Sequence, residues 1–182
     1  MKRFLVITFL FPLFFSFFYG GGQYVNAASI DSNMVVNPMK NGKYPPALTV
    51  AKDPVYPIDS RVVIRANHVP GMEGAKAVVN AVYETTAYKV SYIPTTSSEE
   101  VKNYKWVIHE DIEGANSEAF DVGEEIILNV KYKNGMDRAK AKIESVVQTN
   151  VYMVSYIDSR NGEKVKNYKW LIESELLPLK EN

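Results

Sequence analysis

The chain has 182 residues, a formal net charge of zero and no cysteine. That allows one medium domain or two small ones and excludes disulfides, zinc–thiolate sites and thiol catalysis. The first 27 residues carry Lys2 and Arg3 and no acid, leaving 19 basic against 21 acidic side chains, a net of −2. This is not the balance of a nucleic-acid binder, and no nucleic-acid partner is expected.

Met1-Lys2-Arg3 is a short basic start, and Phe4 to Phe18 is almost wholly apolar. At about 15 residues this run is short of the roughly 20 that a spanning helix needs. It reads as the hydrophobic region of a secretory signal over residues 1–27, with Val25-Asn26-Ala27 supplying small residues for cleavage after Ala27. Tyr19-Gly20-Gly21-Gly22 has the glycines that follow an acylated cysteine in bacterial lipoproteins, but Tyr19 stands where that cysteine would be. The product is expected outside the cytoplasm, secreted or at the cell surface. It meets a membrane only if this segment stays uncleaved. Residues 28–54 are polar, carry Met34 and Met39, and show neither helical nor strand periodicity, so they read as a flexible stalk. Its later part, Tyr44 to Leu48, is placed to dock on the folded region after it.

Val101-Lys102-Asn103-Tyr104-Lys105-Trp106 returns unchanged at Val165 to Trp170, and these copies hold both tryptophans of the chain. Without a gap, residues 56–112 lie over 120–176 at a constant shift of 64. This is a tandem duplication, with a first repeat over 55–113, a second over 119–178 and Gly114–Glu118 as the joint. A unit of about 57 residues is near the lower limit for folding alone, so the copies are expected to pack together or share linker residues.

Within each copy the spacing predicts four strands. Val62, Ile64 and Ala66 alternate, matched by Ile126, Leu128 and Val130. A turn comes next at Pro70-Gly71 or Asn134-Gly135, two chemistries for one geometric problem. The return strand points Ala75, Ala77 and Val79 inward, matched by Ala139, Ala141 and Ile143. A third strand carries Tyr88, Val90 and Tyr92, identical to Tyr152, Val154 and Tyr156, with hydroxyls expected at a wet rim. The fourth contains the hexapeptide and runs into Val107-Ile108 or Leu171-Ile172. It ends in an acidic tail, Glu110-Asp111 or Glu173-Ser174-Glu175, with room for a single helical turn. Short strands with a late Trp fit a small SH3-like barrel, so the expected fold is all-β: two tandem SH3-like barrels after a signal segment and stalk.

Candidate chemistry is sparse. Both histidines lie in the first copy, His68 near the turn and four residues before Met72, and His109 after the fourth strand. Imidazole and thioether together suit copper, Cu(I) above all for the sulfur. A turn at Pro70-Gly71 would put His68 and Met72 on one rim. Two ligands are half a site, and further donors would have to come from His109, Met136, Met153 or the stalk methionines. The bland alternative is an exposed loop histidine beside a packing methionine. Trp106 and Trp170 read as core residues or as stacking platforms for a polymer. Lys102, Lys105, Lys166 and Lys169 read as a weak basic stripe or as solvated strand faces. The acids are adjacent rather than convergent and no catalytic triad order is present, so no enzyme is expected.

The run Pro46-x-Leu48-x-x-Ala51-x-x-Pro54-x-Tyr56, then Val62-Val63-Ile64, His68-x-Pro70-Gly71-Met72-x-Gly74-Ala75, Tyr88-x-Val90-x-Tyr92 and Val101-Lys102-Asn103-x-Lys105-Trp106-Val107 resembles the YdhK-type family. These are duplicated, exported domains of Gram-positive bacteria, often lipoproteins, and the likeness covers residues 44–178. It implies the two-repeat fold and, through members similar to or encoded beside copper-resistance proteins, surface copper binding. The sequence departs from the pattern where histidine or methionine is usual: Val69, Tyr104, Tyr132, Lys133 and Tyr168 stand there, besides Tyr19. Of the matching positions His68, Met72 and Met136 remain, so any copper binding is expected to be weaker or confined to the first copy. The expectation is therefore an exported, non-enzymatic envelope protein that binds copper through His68, Met72, Met136 and His109. Its competitor is a surface interaction module for cell-wall polymer or a protein partner.

Overall fold

The computed structural model describes residues 48–180. The signal segment, Met34, Met39 and Tyr44–Ala47 lie outside them. The strands are β1 (Thr49–Val50), β2 (Arg61–Ile64), β3 (Lys76–Ile93), β4 (Val101–Ile108), β5 (Glu125–Ile127), β6 (Lys140–Ile157), β7 (Lys164–Ile172) and β8 (Leu176–Pro178). Single 3-10 turns at His109–Asp111 and Glu173–Glu175 occupy the two acidic tails. Among the described residues no helix is long and apolar enough to cross a membrane.

The return strand and the third strand of each copy are one continuous 18-residue strand, β3 in the first copy and β6 in the second. Neither run contains Gly or Pro, and the middle of β3, Val82-Tyr83-Glu84-Thr85-Thr86, is rich in β-branched and aromatic residues that favour extended backbone. β3 and β6 pair antiparallel along their whole length, from Ala77 opposite Tyr156 to Ile93 opposite Lys140. At the centre Thr85 faces Thr149, its own equivalent at the shift of 64. A residue paired with its own equivalent marks a local two-fold axis, so the duplication is built as an internal dyad. The ladder slips after Val79 and after Lys89, leaving Asn80 and Glu144 as single extra residues. They are equivalents too, and each bulge re-aims its strand, moving the inward face from Val79 to Val82.

The expected pair of barrels therefore does not form. There is one eight-stranded sheet, not closed on itself, with β5-β6-β3-β2-β8 as its path and β1, β4 and β7 branching from β3 and β6. With β3 and β6 running straight on, neither copy has the corner a small barrel would need. The copies instead exchange halves. One core joins Val62, Ile64, Met72, Ala77 and Val79 of the first copy to Tyr152, Val154, Tyr156, Leu171 and Leu176 of the second. The other joins Ile126, Leu128, Met136, Ala141 and Ile143 of the second to Tyr88, Val90, Tyr92, Val107 and Ile112 of the first. A third cluster, around Trp106 and Trp170 with Ala87, Ile108, Val151 and Ile172, holds the centre. Consistently, β2 pairs with β8 across copies, and Ile112 bridges Leu128 at the equivalent place. The end of the expected stalk is already part of the fold: Leu48 packs on the tryptophan cluster and β1 pairs with β3.

The turns also reach across. The Gly71 carbonyl accepts hydrogen bonds from the Ser159 N–H (2.9 Å) and hydroxyl (3.1 Å), and the Gly135 carbonyl accepts from the Thr95 N–H at 2.8 Å. Both glycines have positive φ, +82° and +75°, as the turn reading required. A Cβ on Gly71 would lie 2.0 Å from Asp158 Oδ1, and Arg160 holds that carboxylate at 2.9 Å. Gly71→Ala is expected to lower unfolding free energy by about 2–3 kcal/mol in chemical denaturation, from backbone strain and overlap together. Gly74→Ala, with φ +74° and open space around it, isolates the strain and should cost about 1 kcal/mol. Equal losses would mean that the Asp158 side chain moves aside at no cost.

Candidate functional site

A cleft of about 350 Å³ is lined by His68, Val69, Tyr104, Lys105, Tyr132, Lys133, Asn167, Tyr168 and Lys169. Four pairs in that lining are equivalents at the shift of 64: 68 with 132, 69 with 133, 104 with 168 and 105 with 169. The cleft thus straddles the internal dyad, between β4 and β7 and beneath the loops that come after β2 and β5. Its position results from the exchange of halves, which brings the same segments of both copies to one place.

The two ends of the cleft are wired differently. At the first, Glu175 accepts from His68 Nε2–H at 2.8 Å, from Trp106 Nε1–H at 2.9 Å and from the Ile172 N–H at 3.2 Å, with Lys105 Nζ 3.7 Å away. Burial pushes the Glu175 carboxyl up, but its hydrogen bonds and charge pairing with His68, with help from Trp106, outweigh that and hold it below the usual glutamate value. At the second end Asp111 occupies the equivalent position and Tyr132 that of His68. The Tyr132 hydroxyl donates to Asp111 at 2.8–2.9 Å and accepts from Trp170 Nε1–H at 2.9 Å. Asp111 also accepts from the Ile108 N–H at 3.0 Å. Asp111 has no direct ion pair among the described residues, and burial drives it up to about 7, against the opposing pull of those donors and of Lys169.

Several polar groups of the cleft have no hydrogen-bond partner among the described residues. Neither the Tyr104 nor the Tyr168 hydroxyl donates or accepts there. Burial raises both pKa values above the usual tyrosine value, so both are neutral donors near pH 7. The Lys133 ammonium lies over the Tyr104 ring (5.3 Å to the centroid) and that of Lys169 over Trp170 (5.3 Å), neither beside a carboxylate. Lys105 Nζ lies 5.2 Å over Trp106. His68, with a side chain only 6% exposed, keeps Nδ1 buried without a partner.

The expected metal ligands are not brought together. Met72 is fully buried in one core and Met136 in the other, so the turn does not put a thioether on the same rim as His68. An unbranched apolar side chain beside small alanines fills core space instead. His109 is buried with both ring nitrogens in use: Nε2–H donates to the Asn116 carbonyl (2.7 Å) and Nδ1 accepts from the Tyr88 hydroxyl (2.9 Å). In the second copy Glu173 does the same work, accepting from the Tyr152 hydroxyl at 3.0 Å. The Tyr88 and Tyr152 hydroxyls are therefore satisfied inside rather than wetted at a rim. Trp106 and Trp170 pack in the centre. Of the basic stripe, Lys105 and Lys169 reach the cleft, while Lys102 pairs with Glu100 at 3.6 Å.

The resemblance implies copper as the ligand. Cu(I) favours thioether and imidazole donors, and the cleft offers one imidazole nitrogen and no sulfur. One imidazole nitrogen without a second soft donor does not make a complete Cu(I) site. Val69, Tyr104, Tyr132, Lys133 and Tyr168, where the resemblance implies histidine or methionine, all line this one cleft.

Fold and site define a class: duplicated all-β proteins whose copies share their cores across an internal dyad and frame a cleft upon it. The chain belongs to the DUF1541 family, described as a protein of unknown function, whose model matches residues 59–109 and 122–173; the YdhK-type resemblance holds. It is 45% identical over 132 residues to the uncharacterized protein YdhK of Bacillus subtilis strain 168, covering 72% of this chain. The chain spans 64% of the length of that curated relative. A crystal structure of a DUF1541 family protein, YdhK from Bacillus subtilis, is similar with a TM-score of 0.72 and 43% identity, over 76% of this chain and 94% of that one. A solution structure of the YdhK C-terminal domain gives a TM-score of 0.65 and 44% identity, over 68% and 93%.

Proposed function

We propose that this chain is an exported, non-enzymatic binding module of the cell envelope and that its ligand, a component of the cell wall, occupies the dyad cleft. The observation that carries this reading is the convergence in one cleft of two lysines with no carboxylate in ion-pair distance, Lys133 and Lys169, and two tyrosine hydroxyls with no hydrogen-bond partner among the described residues, Tyr104 and Tyr168. Small-molecule sites are concave, combine aromatic walls with a few directed polar groups, and begin near roughly 300 Å³. The basic N-terminal start and the short apolar run after it support export.

The test is cosedimentation of the protein with purified wall material. The wild-type protein should be retained, and Lys133→Glu with Lys169→Glu should weaken retention at least tenfold. Retention that ignores the charge reversal would place the interaction elsewhere and sink the cleft as its site.

Copper handling is the second reading, favoured by the partnerless Nδ1 of His68. Its test is an anaerobic Cu(I) titration. Stoichiometric uptake that is lost in His68→Ala but kept in Met72→Leu would support it.

A further inference from the structure

We infer that the dyad cleft takes a phosphate ester, gripped by the ammonium groups of Lys105, Lys133 and Lys169 and by the hydroxyls of Tyr104 and Tyr168; this rests on the proposed role of the cleft as the binding site. The charge count points to an anion. Three lysines line the cleft, and among the described residues the only carboxylate within pairing distance of any of them there is Glu175, 3.7 Å from Lys105. His68 and Trp106 already occupy Glu175, and the other acid, Asp111, is buried behind Tyr132. Lys133 and Lys169 lie over aromatic faces with no carboxylate in ion-pair distance among the described residues, and Asp111 acts on Lys169 only from further off. Such contacts at exposed sites are worth only about 0.5–1 kcal/mol, so an oxyanion draws the ammonium groups away at little cost.

Several features favour phosphate over a carboxylate. Two cations without an ion-pair partner, flanking two neutral hydroxyl donors, match a dianion with three terminal oxygens better than a monoanion with two. Lysine serves phosphate as a point charge and needs no planar fork. The cleft is larger than a bare anion, leaving room for the small polyol of an ester, and Asn167 at its edge can hydrogen-bond to a polyol. A neutral sugar would leave the lysines unused. A metal cation would meet three like charges.

The tryptophans give the readout, because both underlie the cleft and the chain has no others. Their indole N–H groups are engaged by Glu175 and Tyr132, and Lys105 and Lys169 lie over their rings. Purified protein is titrated with inorganic phosphate, glycerol 3-phosphate, glycerol, wall fragments and phosphatidylglycerol vesicles. Tryptophan emission and the two indole N–H resonances are followed. Saturable shifts with glycerol 3-phosphate, none with glycerol, and at least tenfold weaker binding in Lys133→Gln and Lys169→Gln at unchanged thermal stability are expected. An equal response to inorganic phosphate supports free phosphate as the source, and a tighter response to glycerol 3-phosphate supports the ester. If wall fragments shift the indole signals while both phosphates are silent, the ligand class is wrong and the binding module stands. Silence towards wall fragments and phosphates alike overturns both. Binding to vesicles alone overturns the inference in favour of a bilayer surface.

Discussion

Glu175→Ala is expected to lower the unfolding free energy by about 3–5 kcal/mol. The residue is the common acceptor for three donors, His68 Nε2–H, Trp106 Nε1–H and the Ile172 N–H. Its side chain is 12% exposed and that of His68 6%. Removing the carboxylate strands all three donors at once, and each buried donor deprived of its acceptor costs about 1–3 kcal/mol. Denaturant titration at neutral pH measures the loss. Glu175→Gln keeps one carbonyl acceptor and should cost less than half as much. Because Trp106 belongs to the first copy and Glu175 to the second, the loss should appear as a lower midpoint for the whole molecule, with no separate early transition. A loss below about 1 kcal/mol would show that this hub holds nothing.

The equivalent acid titrates the other way, and it gives the second large effect. Asp111 rises from 3.8 to about 7, so the folded chain holds this proton more tightly than the unfolded one. Between roughly pH 4 and 7 the native state binds more protons and stability falls as pH rises. The contribution is whole below the unfolded value and lost on passing through the folded one. At about 1.36 kcal/mol per unit the full swing is at most about 4 kcal/mol. Glu175, held below its usual value, acts in the opposite sense, its contribution fading only as pH falls below about 4.5. Asp111→Asn should match the wild type near pH 4 and exceed it by about 2–4 kcal/mol at pH 8. Parallel stability curves for the two proteins from about pH 4 to 8 would contradict the assignment. The pair shows how one backbone position diverged: His68 opposite Glu175 favours the ionised acid, while Tyr132 opposite Asp111 cannot neutralise it.

Much of each copy was legible in the sequence. The shift of 64, the inward alternation at Val62 and Ile64, the positive-φ turns at Gly71 and Gly135, the short helical turns at the acidic tails and the interior tryptophans all appear where the residues put them. The exchange of halves was not legible, and the duplication itself is the reason. Tyr88, Val90 and Tyr92 are identical to Tyr152, Val154 and Tyr156, so a core built within one copy and a core built across copies present the same inward residues. What decides between them is whether the chain turns back between Val79 and Ala87. The signal was there: neither long strand contains a Gly or Pro to turn on.

The site was hidden for the same reason. His68 was identifiable as chemistry. Lys133, Glu175 and the tyrosine pair acquire meaning only when two distant segments meet on the dyad. Met72 and Met136 misled because a methionine next to a turn reads the same whether it faces solvent or core.

The most direct measurement separates the copies. Residues 48–117 and 118–182 are made as two chains and studied by amide NMR and thermal unfolding, alone and mixed. Each alone lacks half of every core and should give collapsed amide dispersion with no cooperative transition, while the equimolar mixture should recover a dispersed, folded spectrum. Cooperative unfolding of either chain by itself would contradict the shared cores, and with them the cleft that the dyad creates.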